Sequence, residues 1–310
     1  MKTLNRRLVF LFAAFSLLDT ASAHPGSGIV VDSQGNVFVG DINRGLLKFT
    51  PDGKVSVVLK EAGHWLAVDT DKKFARMDFQ KSEHWPRWFK HRQPPGSELA
   101  LISDGGSPLV VHRDGNLYYV CGDEQMVPGG LQIGRLSPNG KLALVAPTLK
   151  ARAKELGGLK GLATAPDDSL YATTPGAVLK GNLDGTVKIV KQSIVAPDCD
   201  RYLLENPPAE YERLQTGGAP FLNGITVSSS GDIYLAATGC RCVLKLDLQG
   251  RVSTILKAES PWSPTGLILH GEDLFVAEWT NAQSEGHDYR PRVRKLGRDG
   301  KVTTVGTFPE

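Results

Sequence analysis

One repeated unit constrains the fold of this chain more than any other feature of its sequence. Each copy has an apolar run, a short polar turn and a second apolar run, as in SGIVVDSQGNVFVGD and NGITVSSSGDIYLAA. In most copies a further apolar pair follows around Asp-Gly, Asn-Gly or Gln-Gly, as in LLKFTPDGKVSVV. Such dipeptides are a strong hairpin signal, because both turn positions tolerate positive φ. Each copy therefore predicts four antiparallel strands, and the six copies begin at Ser27, His64, Ser107, Lys160, Asn223 and Thr265.

The number and spacing of these units predict the architecture. A repeat of about 40 to 50 residues is typical of propeller blades, and radial stacking buries both faces of each sheet. With 34 glycines and 19 prolines the chain favours short elements joined by turns. We therefore predict an all-β protein, a single six-bladed β-propeller of four-stranded antiparallel blades over residues 24–310. The weakest repeat is the second, with one hairpin expected in HWLAVDTDKKFARMD and an outer hairpin in PRWFKHRQPPGSELALIS.

Two segments carry a family resemblance. GIVVDSQGNVFVGDINRGLLKFTPDG and LNGITVSSSGDIYLA resemble NHL repeats, and residues 27–308 are similar to the wider group of NHL, gluconolactonase-like and strictosidine-synthase-like six-bladed propellers. Such propellers host lactonases, lyases and interaction modules, so the resemblance implies the fold and leaves the activity open.

The same resemblance implies a divalent metal site. In gluconolactonase-like enzymes the Asn of an equivalent Asn-Gly segment binds a divalent cation, typically calcium, so Asn223 is the matching metal ligand. The family also uses a Glu from the first blade and an Asp from a later inner strand. The matching positions here are Ser27 and Thr265, which are poor ligands for a hard dication. Glu278 lies outside the motif and is the candidate to substitute for them.

Residues 1–23 have the features of a signal peptide. Three basic residues precede an apolar run over residues 8–18, and Ala-Ser-Ala at residues 21–23 offers a cleavage site. The apolar run is shorter than the roughly 20 residues that span a bilayer, so we expect no membrane span. We expect a mature chain that begins at His24 and is secreted or periplasmic. That chain is close to neutral, so we expect no nucleic-acid binding, and we expect a monomer.

Four cysteines would meet an oxidising compartment after export. Cys121, Cys199, Cys240 and Cys242 form an even set, which permits disulfide bonding of all four. The insertion that holds Cys199 leads directly into the blade that holds Cys240 and Cys242. We therefore predict that Cys199 pairs with Cys240 or Cys242.

The first residue of each innermost strand falls at one end of the channel. These six positions surround the channel mouth, and all six are polar. His64 and Lys160 are the candidate catalytic residues, because an imidazole can act as a base and an amine can hold a substrate carboxylate. The alternative explanation for these six polar residues is structural, because a water-filled channel requires a polar lining. The candidate ligand-binding residues are Ser27, Ser107, Asn223, Thr265 and Glu278.

Two functional hypotheses follow from this arrangement. In the first, the protein binds a small molecule at the channel mouth. If that protein is an enzyme, it is a metal-dependent hydrolase of lactones or similar esters. In the second, a non-catalytic propeller binds a protein or a glycan through a looped rim at residues 147–158, 192–222 and 280–291. The sequence contains no nucleophile-elbow, zinc-protease, Walker or dinucleotide motif. It leaves the choice between enzyme and binding module open.

Overall fold

The computed structural model describes residues 26–77, 89–121, 132–145, 154–197, 199, 220–280 and 289–309. They form a six-bladed β-propeller, which confirms the fold predicted from the repeat. The predicted leader at residues 1–23 and most of the three predicted rim loops lie outside these ranges. Within them, no helix is long and apolar enough to cross a membrane.

The strands are numbered in chain order. Five blades have four strands each, and blade 2 has three strands among the described residues. Blades 1 to 3 contain β1 (Ile29–Val31), β2 (Val37–Asp41), β3 (Gly45–Phe49), β4 (Val55–Leu59); β5 (Trp65–Val68), β6 (Lys90–Arg92), β7 (Leu101–Asp104); and β8 (Leu109–Val111), β9 (Leu117–Cys121), β10 (Gln132–Leu136), β11 (Leu142–Val145). Blades 4 to 6 contain β12 (Gly161–Thr164), β13 (Leu170–Thr174), β14 (Ala177–Gly181), β15 (Val187–Lys191); β16 (Leu222–Val227), β17 (Ile233–Ala237), β18 (Cys242–Leu246), β19 (Val252–Lys257); and β20 (Trp262–His270), β21 (Asp273–Thr280), β22 (Pro291–Leu296), β23 (Val302–Thr307).

The outer hairpins form where the glycine dipeptides predict them. In the turn between β3 and β4, Thr50 accepts the Gly53 N–H at 2.9 Å and donates its own N–H to Lys54, also at 2.9 Å. Gly53 has a φ of 88°, while Asp52 before it is not in the positive-φ region. The turn is therefore a three-residue type I turn closed by a left-handed glycine, and not one with positive φ at both positions.

Blade 2 differs from its prediction in strand order. Its three described strands lie in the order β5, β7, β6, so the outer hairpin forms as predicted but its second strand occupies the place next to the innermost strand. The second half of HWLAVDTDKKFARMD was expected next to the innermost strand. It turns away instead, because the Asp69 carboxylate accepts the N–H groups of Lys73 and Phe74 at 3.0 and 2.9 Å. Phe74 is then buried in the apolar cluster between blades 2 and 3.

The innermost strands surround the channel as a closed ring. Each contacts the innermost strand of the next blade, and β20 of blade 6 contacts β1 of blade 1. In the described chain, blades 1 and 6 are each built from consecutive strands, with no strand exchanged between them. Side-chain packing and hydrogen bonds, such as that from Thr265 to the Gly26 carbonyl oxygen, therefore close the ring. Blade 1 contributes Ile29, Val37, Val39, Leu47 and Phe49 to that interface, and blade 6 contributes Phe275, Ala277, Trp279, Tyr289 and Val293.

Candidate functional site

The strand-start residues are neighbours around one end of the channel. Ser27 and Gly28 both donate backbone N–H groups to the His64 carbonyl oxygen, at 2.9 and 2.6 Å. A Cβ on Gly224 would lie 2.6 Å from the Thr265 carbonyl oxygen, so only glycine lets blades 5 and 6 approach this closely. The same close approach to the next blade recurs at Gly28, Gly161 and Gly266. The mouth is therefore one compact ring of residues.

Three threonine hydroxyls bridge neighbouring blades at the level of the mouth. Each donates to a backbone carbonyl oxygen at 2.7 Å, which satisfies a carbonyl that would otherwise be costly to bury. Thr265, one of the predicted ligand-binding residues, uses its hydroxyl in this way and is only 2% exposed. The bridges run from Thr173 to Asn223, from Thr238 to Pro264 and from Thr265 to Gly26.

Lys160 is the cation of this ring. It is half-buried at the start of blade 4, and its Nζ lies 5.8 Å from the centre of the Phe221 ring. Such a contact is favourable because the face of an aromatic ring carries negative charge. Burial lowers the pKa of Lys160 to about 8, since it disfavours the charged form of an amine. Ammonium and neutral amine are therefore both substantially populated slightly above neutral pH.

Phe221 is a part of the site that the sequence did not reveal. Its backbone has a φ of 49°, a left-handed conformation that is uncommon for a bulky residue. The Phe221 carbonyl oxygen accepts the Thr238 N–H at 3.1 Å, and the Pro220 carbonyl oxygen accepts the Gly239 N–H at 3.0 Å. These bonds hold the segment against the short 3-10 helix Thr238–Cys240. The nearest sequence signal is its place two residues before Asn223.

A disulfide bond reinforces that helix. Cys199 is bonded to Cys240, which confirms one of the two predicted pairings. The pairing of all four cysteines that an even set permits does not form, because Cys121 and Cys242 are thiols. Cys121 ends β9 in blade 3 and Cys242 begins β18 in blade 5, so blade 4 separates them.

Asp104 is a second residue that the sequence analysis missed. It ends β7 in blade 2, is 1% exposed, and accepts the N–H groups of Gly106 and Ser107 at 3.3 and 3.0 Å. The carboxylate thereby fixes the turn that places Ser107 at the start of blade 3. Burial raises the pKa of Asp104 to about 6, and the backbone hydrogen bonds oppose that rise.

The raised pKa predicts a pH-dependent effect of Asp104→Asn. Between pH 4 and 6 the folded protein binds a proton at Asp104 that the unfolded chain releases, so this group's contribution to stability falls as pH rises through that window. Asparagine carries no charge, but it has one acceptor oxygen fewer for the backbone N–H groups, and this loss lowers the free energy of unfolding by about 1 kcal/mol. We expect the variant to be less stable than wild type at pH 4 and about 1 to 2 kcal/mol more stable at pH 7.5.

Urea unfolding at both pH values measures this crossover. The exposed Asp299→Asn variant is the control and should show the same small difference from wild type at both values. A constant difference between Asp104→Asn and wild type across this range would contradict the assignment.

Glu278 lies at the interface between blades 5 and 6 and is fully buried. Its carboxylate accepts the Arg292 Nε at 2.5 Å and the Arg294 Nε at 2.9 Å. Arg292 also stacks on the Trp262 ring at 4.3 Å and bonds Glu259, whose pKa this hydrogen bond lowers to about 2. Both Glu278 oxygens are thus engaged by guanidinium groups, which corrects its selection as a substitute metal ligand.

The described ring residues do not fit a divalent cation. Across the described ranges, no group of three or more His, Cys, Asp or Glu side chains could hold a metal ion. The mouth offers hydroxyls, one amide, one imidazole and the Lys160 amine, whereas a calcium ion needs several oxygens with negative charge. Of the nearby carboxylates, Asp104 is bonded to backbone N–H groups and Glu278 to two arginines.

Comparison with known proteins supports the fold. No protein-family model and no curated protein matches the chain. Among solved structures, a calcium-binding protein, regucalcin, from Agrobacterium tumefaciens is 13% identical with a TM-score of 0.51, covering 84% of each chain. A gluconolactonase from Xanthomonas campestris is 16% identical with a TM-score of 0.50, covering 81% of this chain and 83% of its own. At these identities the likeness shows the propeller fold alone, and the NHL part of the resemblance stays a prediction.

Proposed function

We propose that this propeller binds a small anionic molecule at the mouth of its channel. The observation that carries the proposal is the half-buried amine of Lys160, which lies over Phe221 within a ring of polar strand-start residues. A cation at a partly desolvated position attracts an anion more strongly than one in open water. The same setting disfavours a dication, so no metal-dependent step enters the proposal.

Five of the six ring residues have a role in this binding, while the Thr265 hydroxyl already donates to the Gly26 carbonyl oxygen. Lys160 attracts a carboxylate or similar group, while the Asn223 amide and the hydroxyls of Ser27 and Ser107 hydrogen-bond the polar atoms of the ligand. His64 is only 8% exposed and supplies the one imidazole of the ring, a side chain that often acts as a base in proteins. It is the candidate base for any turnover at this site. Substitution of a mouth residue should therefore weaken binding without unfolding the protein.

We also propose that binding takes place outside the cytoplasm, in the periplasm or after secretion. Residues 1–23 have the order of a signal peptide, with basic residues, a short apolar run and small residues before His24. A disulfide bond such as Cys199–Cys240 persists in oxidising compartments.

Thermal-shift measurements with small carboxylates test the binding proposal. Glycolate, gluconate and benzoate serve as anionic probes, and calcium, manganese and zinc are measured alongside. A bound ligand at many times its Kd raises stability by several kcal/mol. We expect at least one carboxylate to raise the Tm of the wild type, and Lys160→Met to weaken that binding at least tenfold.

Lys54→Met and Lys141→Met are the matched controls, because both lysines are exposed in turns on the opposite face. They should bind as the wild type does. If Lys160→Met binds as these two controls do, the channel mouth is not the binding site and binding through the looped rim is favoured. Stabilisation by calcium alone would favour the metal-dependent hydrolase.

A further inference from the structure

We infer that the ligand is a small oxo acid or another carbonyl-bearing anion, and that Lys160 condenses with its aldehyde or ketone carbon. This inference rests on the proposed function and names the ligand class of the same site. It begins from the placement of the amine, which ends a side chain that starts at the channel mouth and lies on the face of Phe221. The ring attracts the ammonium form, but burial of the amine outweighs that attraction, and a desolvated lysine is an activated nucleophile toward carbonyl carbon.

The two protonation states of Lys160 serve two steps. The ammonium form draws in the anion, and the neutral form attacks, because only the neutral amine has a free electron pair. With a pKa of about 8, the neutral fraction at pH 7 is roughly 300 times that of an ordinary lysine. An ordinary surface lysine attracts anions as well but is almost never free to attack.

The condensation needs no further reactant. The amine electron pair forms a bond to the carbonyl carbon, and the carbonyl oxygen leaves as water with the two amine protons. The product is an imine, and addition of water reverses the reaction. The protonated imine keeps a positive charge beside the ligand's carboxylate.

Phe221 is the positioning residue in this scheme. Its strained backbone is held by the Thr238 N–H, at the helix that the Cys199–Cys240 disulfide ties down, so its ring has a fixed place beneath the amine. A smaller side chain there would admit water around the Lys160 amine and return it toward the behaviour of an exposed lysine. Phe221→Leu should therefore reduce the reactivity of Lys160 while the lysine itself remains.

Reductive trapping tests the inference. The full folded chain is treated at pH 7 with glyoxylate and sodium cyanoborohydride, and the modified lysines are identified by peptide mass mapping. We expect Lys160 to be modified at least tenfold faster than Lys54 and Lys141, with a smaller ratio in Phe221→Leu. The ratio should fall toward one near pH 10.5 and in protein denatured with urea.

The outcomes separate this inference from the proposed function. Modification of Lys160 no faster than that of Lys54 and Lys141 would overturn the inference. If glycolate, which has the carboxylate but no carbonyl, still binds at the mouth in that case, the proposed function stands without it. If neither glycolate nor any other carboxylate binds and Lys160 is not trapped, both fail.

Discussion

Glu278→Gln is expected to lower the free energy of unfolding by about 3 to 5 kcal/mol, although it preserves the size of the side chain. Glu278 is fully buried and is the common partner of Arg292 and Arg294, which are 7% and 8% exposed. A glutamine amide cannot balance two buried guanidinium charges. The remaining carboxylate, Glu259, is 63% exposed and contacts the pair from the surface. Urea unfolding at pH 7 measures the loss.

A surface pair provides the control for this experiment. Glu272 and Arg298 form an ion pair in the same blade but are 64% and 77% exposed, so Glu272→Gln should cost less than about 1 kcal/mol. A triple variant, Glu278→Leu with Arg292→Met and Arg294→Leu, should recover most of the stability, because no buried charge then lacks its partner. A Glu278→Gln loss as small as that of Glu272→Gln would show that the buried cluster does not act as described.

Phe49→Ala is expected to have an effect of similar size, about 3 to 5 kcal/mol. Phe49 has no exposed surface and packs with Val293 and Trp279 across the interface that closes the ring between blades 1 and 6. The cavity left by its removal falls where the described chain has no exchanged strand to hold the blades together. We therefore expect local opening of that interface as well as a lower global stability.

Hydrogen exchange distinguishes local opening from a general loss. In Phe49→Ala, amides of β1 and β20 should exchange faster relative to those of β8 and β12, the innermost strands of blades 3 and 4 on the other side of the ring. Val57→Ala is the control, because Val57 is 44% exposed in β4 of the same blade and should cost about 0.5 kcal/mol or less. Uniform acceleration of exchange across all blades would contradict a special role for the closing interface.

The blades could be predicted because the information that forms them is local. An Asp-Gly turn such as that at Gly53 joins two strands that are adjacent in the sequence, and the alternation of apolar residues sets their faces. Blade 2 breaks this locality, since β5 pairs with β7, and the chain between Val68 and Leu101 passes through Phe74 and β6 before it returns. No short-range pattern marks a strand that arrives from that distance.

The candidate site was predictable in position but not in chemistry. The repeat places Ser27, His64 and Lys160 at equivalent strand starts, and the structure brings those starts together. The properties of Lys160 depend on Phe221, which another blade supplies and which holds no repeated position. Asp104 likewise acquires its raised pKa from burial that only the folded molecule creates.

The consecutive strands of blades 1 and 6 bear on how the chain can be rearranged. Residues 258–261 connect the outermost strand of blade 5, which ends at Lys257, to the innermost strand of blade 6, which begins at Trp262. In the same way, β23 is the outermost strand of blade 6 and β1 is the innermost strand of the neighbouring blade 1. A circular permutant that links Thr307 to Gly26 by a short linker, and opens new termini between two other blades, keeps every strand pairing of the ring. The choice of the blade that comes first in the gene is therefore independent of the order of the blades around the channel.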